Sequence, residues 1–241
     1  MARRFFEEGA RSWEKSDSSP VTEADMAVDQ MLCDVLRAAR PDYGWLSEER
    51  EDGPERLGRA RIFVVDPIDG TRAFMAGETG WVISVAVVEG GSPRTGVLIA
   101  PATGETWTAV LNGGATRNGE QVRMQDRDAL NGLHLAASKR MAGEIGLVEG
   151  DGFTRIYDKS LARRIALVSD GGYNAAIASQ NARDWDLAAA ALILTEAGGR
   201  ITDFEGRELA FNRADPRHPP LLAAPPLLHA ALLERHRKLH A

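Results

Sequence analysis

The most informative stretch of the sequence is Val64-Val65-Asp66-Pro67-Ile68-Asp69-Gly70-Thr71, in which a strand leads into two carboxylates three residues apart. The apolar run from Ile62 to Val65 predicts a buried strand, and open sheets place ligand sites beyond the carboxyl ends of their strands. Gly70 allows close approach of the backbone to a ligand, and Gly70 and Thr71 are expected to begin a turn of helix that binds phosphate. Taken alone, the Asp-Pro and Asp-Gly pairs are equally typical of an ordinary turn.

Two other segments place acids next to apolar residues. Ser47-Glu48-Glu49 follows Trp45-Leu46, and Asp184-Trp185-Asp186 precedes an alanine-rich helix. Each has an ordinary interpretation, because paired glutamates usually lie on a solvated surface and an aspartate at a helix N-terminus is usually a cap. Their chemistry becomes informative only in combination with the first stretch.

The first half of the chain predicts one helix followed by a sheet. Apolar residues at spacings of three and four indicate an amphipathic helix over Thr22–Ala39, with Thr22 as its cap and Asp25 in the first turn. The polar stretch Glu48–Arg61 predicts an exposed loop or short helix, and it is a candidate lid. An antiparallel meander is predicted beyond it, with strands at Ile62–Val65, Trp81–Val88, Gly96–Ala100 and Thr106–Leu111.

The second half mixes helices and strands. A strand is predicted at Leu133–Ala137, with helices near Ser160–Ser169 and Trp185–Glu196, the second ended by Gly198, and short strands near Ile201 and Leu221. No repeat or linker separates the halves. We therefore expect two closely packed halves, residues 1–130 and 131–241, in one compact unit.

Composition excludes several classes of protein. The 241 residues are 44% hydrophobic and 27% charged, as in an average globular protein, and the net charge of −6 argues against nonspecific nucleic-acid binding. Cys33 is the single cysteine, so an internal disulfide is excluded. Met1–Ala10 lacks the apolar run of a signal peptide, and Pro219–Leu233 is too short and too rich in proline to span a bilayer. We expect a cytoplasmic protein without membrane contact; a homodimer is compatible with the sequence.

Four ordered motifs together resemble those of the inositol monophosphatase-like phosphatases. The motifs are Val21-Thr22-Glu23-Ala24-Asp25, Ser47-Glu48-Glu49, Asp66-Pro67-Ile68-Asp69-Gly70-Thr71, and Trp185-Asp186-Leu187-Ala188-Ala189-Ala190 followed by Glu196-Ala197-Gly198-Gly199. The resemblance covers Lys15 to Asn212, and it implies a mixed α/β fold, a layered αβαβα sandwich. Relatives carry a longer leading helix, so we expect that helix to be trimmed or shortened here.

The resemblance also implies a magnesium-dependent, lithium-sensitive phosphatase. Glu48, Asp66 and the carbonyl of Ile68 are expected to hold one Mg²⁺, and Asp66, Asp69 and Asp186 a second. Hard oxygen ligands of this kind suit Mg²⁺. The first half of the chain would then carry most metal ligands, and the second half would supply Asp186 and the substrate pocket.

The resemblance further implies that a metal-activated water attacks the phosphate ester. Thr71, with Asp25 or Glu48 behind it, is expected to orient and deprotonate that water. A third, weaker Mg²⁺ is expected near Glu48 and Asp25. Gly70 and Thr71 are the expected phosphate contacts.

The metal motifs do not distinguish between substrates. In the inositol enzymes an acid shortly before the Trp-Asp pair contacts substrate hydroxyls, whereas Ile177–Arg183 contains none. Lys15–Thr22 and Asp69–Phe74 instead look like the bacterial 3′(2′),5′-bisphosphate nucleotidases, with Arg72 or Arg183 for a second phosphate and Ser179 as a further substrate contact. Inositol-1-monophosphatase and histidinol-phosphate phosphatase remain as alternatives, as does a regulatory partner of the transcription machinery that is not an enzyme.

Overall fold

The computed structural model describes residues 1–15, 19–127, 130–148, 150 and 152–241. Ser16–Ser18, part of the nucleotidase-like stretch, lies outside the described residues. The helices are α1 Ala2–Glu8, α2 Glu23–Ala39, α3 Thr71–Met75, α4 Lys139–Glu144, α5 Leu161–Ser169, α6 Asp184–Glu196 and α7 Pro226–His240, with a 3₁₀ helix at Pro54–Gly58.

The strands are short in the second half of the chain and longer in the first. They are β1 Ser12–Glu14, β2 Pro20–Thr22, β3 Gly44–Ser47, β4 Arg61–Asp69, β5 Val82–Glu89, β6 Ser92–Ala100, β7 Glu105–Val110, β8 Gly114–Arg117, β9 Glu120–Val122, β10 His134–Ala136, β11 Thr154–Ile156, β12 Ala175–Ala178, β13 Ala182–Arg183, β14 Arg200–Asp203, β15 Arg217–His218 and β16 Leu221–Ala224.

A seven-stranded sheet contains β3 to β9 in chain order. From β4 to β9 every neighbour is antiparallel, which confirms the predicted meander and extends it by β8 and β9. At the other edge β3 runs parallel to β4, with Ser47 opposite Val65. Glu48 and Asp66 therefore leave neighbouring strands at the same end of the sheet.

The elements stack in five layers. Helix α2 packs on one face of the large sheet, and α5 and α6 lie between that sheet and a five-stranded sheet of order β11-β10-β12-β16-β14. Helices α4 and α7 contact the small sheet. This is the predicted αβαβα sandwich, and it is confirmed. The division near residue 130 stays a prediction.

Helix α6 is apolar on every side because it lies between two sheets. Its residues from Leu187 to Leu194 are all buried, as expected for a helix in a central layer. The helix approaches β6 very closely: a Cβ placed on Gly96 would lie 2.9 Å from both the Cα and the carbonyl oxygen of Ala189. Gly96 thus permits the contact that fixes the height of α6 over the large sheet.

The start of α2 and the segment after Glu48 agree with the predictions in part. Thr22 caps α2, with its main-chain N–H 2.8 Å from Asp25 Oδ2. The segment after Glu48 contains the predicted short helix, but Arg56 is only 3% exposed and donates to Asn212 Oδ1 at 2.6 Å. This segment is therefore anchored to the second half of the chain. In the described part of the chain, every helix is too short or too polar to cross a membrane.

Candidate active site

Three aspartates meet at the end of β4. One carboxylate oxygen from each of Asp66, Asp69 and Asp186 lies within 4.8 Å of the others. Asp66 and Asp69 stand where the pairing of β4 with β5 shifts register, and Asp186 is in the first turn of α6. Because α6 packs across β4 and β5, residues 120 positions apart become neighbours.

Local geometry fixes the Asp66 and Asp186 carboxylates through one oxygen each. Asp66 Oδ1 accepts the N–H of Ile68 at 2.9 Å, and Asp186 Oδ2 accepts the N–H of Arg183 at 2.7 Å. Asp66 Oδ2 is buried and has no hydrogen-bond partner among the described residues. A buried acceptor without a donor is a costly arrangement, and a cation between the carboxylates would remove that cost.

Asp69 is held by the start of α5. Its Oδ2 accepts the Ser160 hydroxyl and the Ala162 N–H, both at 2.6 Å. Ser160 is also the cap of this helix, since its hydroxyl accepts the N–H of Arg163 at 3.1 Å. Sequence reasoning predicted the helix but missed the contact of Ser160 with Asp69, for which the local sequence carries no signal.

The cluster is strained electrostatically when it carries its full negative charge. Burial, followed by the charges of Glu48, Asp69 and Asp186, raises the pKa of Asp66 well above its usual range. Burial, followed by the charges of Asp69 and Glu48, likewise raises the pKa of Asp186, and burial raises that of Asp69 to about 6. Closely spaced oxygen donors that resist ionisation alone are the environment a hard divalent cation stabilises. The residues present therefore fit a divalent metal.

Thr71 and Asp25 form the expected pair beside the cluster. Thr71 Oγ1 lies 3.4 Å from Asp25 Oδ1 and 3.1 Å from the carbonyl oxygen of Ile68. Asp25 is held by Thr22, whose hydroxyl donates to Asp25 Oδ2 at 2.5 Å. Burial raises the pKa of Asp25 despite these hydrogen bonds.

Glu48 lies beside these residues but outside the compact trio of aspartates. Its Oε1 lies 3.1 Å from Lys15 Nζ, which also contacts Glu49 Oε1 at 2.6 Å. Burial raises the pKa of Glu49 to about 7. The ammonium group of Lys15, the residue that follows β1, thus pairs with both glutamates. The motifs did not predict this contact.

A cavity of about 420 Å³ opens above the aspartates. It is lined by seven of the predicted site residues besides Glu48: Ile68, Asp69, Gly70, Thr71, Arg72, Ser179 and Asp186. The segment from Glu49 to Arg61 contributes nothing to this lining, so the candidate lid lies away from the cavity. The other lining residues include Tyr157, Asp158, Lys159 and Arg164, which the sequence analysis did not single out.

Arg183 is not brought to the cavity. Its backbone pairs with Arg217 in β13 and β15, and its guanidinium carbon lies 5.6 Å from the ring centroid of Trp185. Arg164 lies on α5 near the aspartates instead, where its charge lowers the pKa of Asp69 against the dominant effect of burial. An Arg-Arg pair on a helix is typical of a solvated surface, which is why Arg164 could not be identified from the sequence.

Comparisons with known proteins agree with this geometry. Residues 2–241 match the inositol monophosphatase family. A Streptomyces griseus protein named glucose-1-phosphate thymidylyltransferase is 36% identical over 214 residues, 86% of this chain and 81% of that protein. A Thermotoga maritima fructose-1,6-bisphosphatase/inositol-1-monophosphatase is 35% identical over 199 residues, 78% of this chain and 73% of that protein.

Solved structures and further relatives point the same way. The Thermotoga maritima IMPase structure superposes with a TM-score of 0.85 at 28% identity, covering 99% of this chain and 92% of that one. Relatives of 29 to 33% identity are named inositol-1-monophosphatase, histidinol-phosphatase, Nus factor SuhB and 3′(2′),5′-bisphosphate nucleotidase CysQ. The family is generally metal-dependent, in keeping with the aspartate cluster. The chain belongs to the inositol monophosphatase family and is a phosphoric monoester hydrolase for small phosphorylated substrates.

Proposed function

We propose that the protein is a magnesium-dependent phosphatase whose preferred substrates are nucleoside 3′(2′),5′-bisphosphates. The observation that carries the proposal is the charge of the cavity wall. Arg72, Lys159 and Arg164 line the cavity beside the aspartate cluster. Lys159 also pairs with Glu78 at 2.7 Å, and Asp158, which lines the same wall, pairs with Arg163. The Ile177–Arg183 segment offers no carboxylate to the cavity. A substrate with a second phosphate finds cationic donors there.

The metal ligands would be Asp66, Asp69 and Asp186 for one ion, and Asp66, Glu48 and the Ile68 carbonyl for another. Bound there, Mg²⁺ supplies an activated water and neutralises charge on the phosphate. Because the protein would supply only three ligands to each ion, the remaining positions are left for water and substrate oxygens. A third, weaker ion near Glu48 would have to displace Lys15 from the carboxylate it now pairs with.

Thr71 and Asp25 would handle the proton of the attacking water. The Thr71 hydroxyl can donate to Asp25 Oδ1, 3.4 Å away, which leaves its own lone pairs for the water. Asp25 is kept in place by two hydrogen bonds from Thr22, so the pair is oriented before substrate arrives. This arrangement positions a proton acceptor without any covalent enzyme intermediate.

The cavity lining favours a nucleoside over other phosphorylated compounds. Tyr157 is 73% exposed and lines the cavity, so its ring is free to stack on a base. Arg164 donates to the carbonyl oxygens of Ser160 and Ile177, and these neutral acceptors leave its charge available to a phosphate.

The test is a comparison of kcat/KM on four substrates. Adenosine 3′,5′-bisphosphate is expected to exceed fructose 1,6-bisphosphate, inositol 1-phosphate and histidinol phosphate. Lys159→Gln should lower kcat/KM for the nucleotide more than for inositol 1-phosphate, while Lys238→Gln, at an exposed position of the C-terminal helix α7, should change neither. A tenfold advantage for inositol 1-phosphate, about 1.4 kcal/mol in transition-state binding, would contradict the proposal.

Magnesium and lithium give an independent test of the metal assignment. Turnover should require Mg²⁺ and should pass through a maximum as the Mg²⁺ concentration is raised, since excess metal retains the product. Lithium, which is similar in size to Mg²⁺, is expected to inhibit at millimolar order by occupying one ligand set. Turnover that persists in excess chelator would contradict the metal assignment without bearing on substrate preference.

A second candidate function rests on the relatives named Nus factor SuhB, which are 30% identical to this chain. In that case the chain would act as a partner of the transcription machinery. The two functions separate cleanly in Asp66→Asn. Loss of turnover with an unchanged stable complex would favour the partner role, and turnover with no co-purifying partner would favour the enzyme.

A further inference from the structure

A second group of metal-binding side chains lies far from the aspartates in sequence. Glu144 ends α4, and His236 and His240 lie one turn apart on α7. One ligand atom from each of the three lies within 4.8 Å of the other two. Two histidines four residues apart lie on one helix face and are a common chelating arrangement. None of the four sequence motifs includes these three residues, and no relative's name describes such a site.

Both imidazoles turn a ring nitrogen towards the backbone carbonyl oxygen of Glu144. His236 Nδ1 lies 2.7 Å, and His240 Nε2 3.2 Å, from the carbonyl oxygen of Glu144. His240 Nε2 is also 3.5 Å from Glu144 Oε2. Two ligands about 2.1 Å from a tetrahedral ion are roughly 3.4 Å apart, so the imidazole and the carboxylate already have the separation that one shared ion requires.

The surroundings hold the group in place. The His236 ring stacks on Phe204, with centroids 4.5 Å apart, and His236 is half-buried whereas His240 is exposed. Arg235 Nε donates to the carbonyl oxygen of Ile145 at 2.9 Å, which ties the same turn of α7 to the residue after Glu144. His236 is thus held in place, Glu144 belongs to the short helix α4, and His240 is accessible from solvent.

We propose that Glu144, His236 and His240 form a binding site for a transition-metal ion of the zinc class. Imidazole nitrogen and a single carboxylate suit Zn²⁺ and Cu²⁺, whereas Mg²⁺ prefers oxygen ligands alone. The ion would fasten α7 to α4, the helix whose Met141 lines the active-site cavity. The proposal concerns binding and the stability of this docking, so it does not depend on the substrate preference.

The test uses the full chain without a polyhistidine tag and Cu²⁺ as the probe. Electron paramagnetic resonance of one equivalent of Cu²⁺ should show coupling to imidazole nitrogen, which the all-oxygen aspartate cluster cannot produce. His236→Ala and His240→Ala should each weaken Cu²⁺ binding by roughly 10- to 100-fold or more, because loss of a residue that only hydrogen-bonds a metal ligand already costs that much. His134→Ala is the matched control, because His134 is exposed on β10, outside the proposed group.

A second measurement distinguishes a metal site from a pair of imidazoles that only hydrogen-bond the helix end. In saturating Mg²⁺, Zn²⁺ should raise the melting temperature of the wild type and of His134→Ala, and leave that of His240→Ala unchanged. Equal shifts in all three proteins would place the ion elsewhere and overturn the proposal. A Cu²⁺ spectrum without nitrogen coupling, or one unaffected by both His→Ala variants on α7, would overturn it as well.

Discussion

At the scale of single residues, Asp66 is the point where the requirements of folding and of metal binding conflict. It is 1% exposed, and one of its oxygens has no described hydrogen-bond partner. Four carboxylates, those of Glu48, Asp69, Asp186 and Asp25, act on it together, and they add to the effect of burial in raising its pKa. Without metal, therefore, the charged side chain of Asp66 is expected to destabilise the fold.

Asp66→Asn is predicted to abolish nearly all turnover while preserving the fold. The amide keeps the shape of the side chain but removes a shared metal ligand. Because it also removes charge repulsion, the melting temperature of the metal-free variant should equal or exceed that of the wild type. Phosphatase assays and thermal melts in chelator measure both effects, with exposed Asp42→Asn as the control. Full activity in Asp66→Asn would contradict the two-metal assignment.

His229 offers a titration far from the metal ligands. It is 2% exposed, with Nε2 lying 3.0 Å from Thr202 Oγ1, and burial, with a smaller effect of Arg200, lowers its pKa to about 4. In the unfolded chain a histidine titrates near pH 6.5. The unfolded state therefore binds more protons between these values, so this contribution to stability is complete above pH 6.5 and is lost as the pH falls towards 4.

His229→Gln should accordingly flatten the pH dependence of stability between pH 6.5 and 4. The difference in slope from wild type should be less than the about 1.4 kcal/mol per pH unit that full linkage gives. Urea unfolding at several pH values measures it, and the acidic cluster cancels because it is common to both proteins. Parallel stability curves for wild type and variant would contradict the assignment.

At the scale of secondary-structure elements, the contact between β6 and α6 sets the position of Asp186. Gly96→Ala would place a methyl group 2.9 Å from the backbone of Ala189. Overpacking of this kind typically costs about 1–3 kcal/mol, so we predict a loss of that order in the free energy of unfolding. Gly58→Ala is the control, because no atom lies within 4 Å of a Cβ built there. Equal stability of the two variants in urea would show that α6 can shift.

Elements with a clear period were predictable from the sequence, and elements without one were not. The alternation of β5 and the three-four spacing of α2 gave both elements almost to the residue. Strand β12 was missed because Ala175–Ala178 is buried at every position, which removes the alternation. Helix α7 was missed because Pro225 and Pro226 indicate a break, although Pro226 stands at the first helical position, where proline is favoured.

Some site residues could likewise be predicted from the sequence, and others could not. Asp66, Asp69 and Asp186 were predicted together from the resemblance, since no local pattern brings residues 120 positions apart into contact. Ser160, Lys159 and Arg164 were missed because their positions depend on how α5 packs against the end of β4. Arg183 was expected at the cavity, but strand pairing with Arg217 directs it towards Trp185.

At the scale of the whole molecule, the proposed metal ligands come from different layers of the sandwich. Asp66 and Asp69 belong to the large sheet, and Asp186 belongs to the helix between the sheets. Arg56 adds a second connection, because it binds Asp52 in its own segment and Asn212 beyond the small sheet's β14. The N–H of Asn212 in turn donates to Asp184 Oδ2 at 2.7 Å, two residues before Asp186. Hydrogen bonds thus join the layers around the aspartates, and a cation bound by these aspartates would join them further.

Metal binding should therefore stabilise the whole fold and not merely the site. A ligand that binds only the folded state at 100 times its Kd contributes about 2.7 kcal/mol, and for a chain of 241 residues each kcal/mol raises the melting temperature by roughly 2–4 °C. We predict that saturating Mg²⁺ raises the melting temperature of wild type and of Asp42→Asn by about 5–10 °C over chelator. Asp186→Asn should lose most of this shift, because its layer no longer contributes a charged ligand. The shift is read by calorimetry at fixed ionic strength, with NaCl replacing MgCl₂ in the reference. An equal shift in Asp186→Asn and wild type would mean that the ion is held by the large sheet alone and does not join the layers.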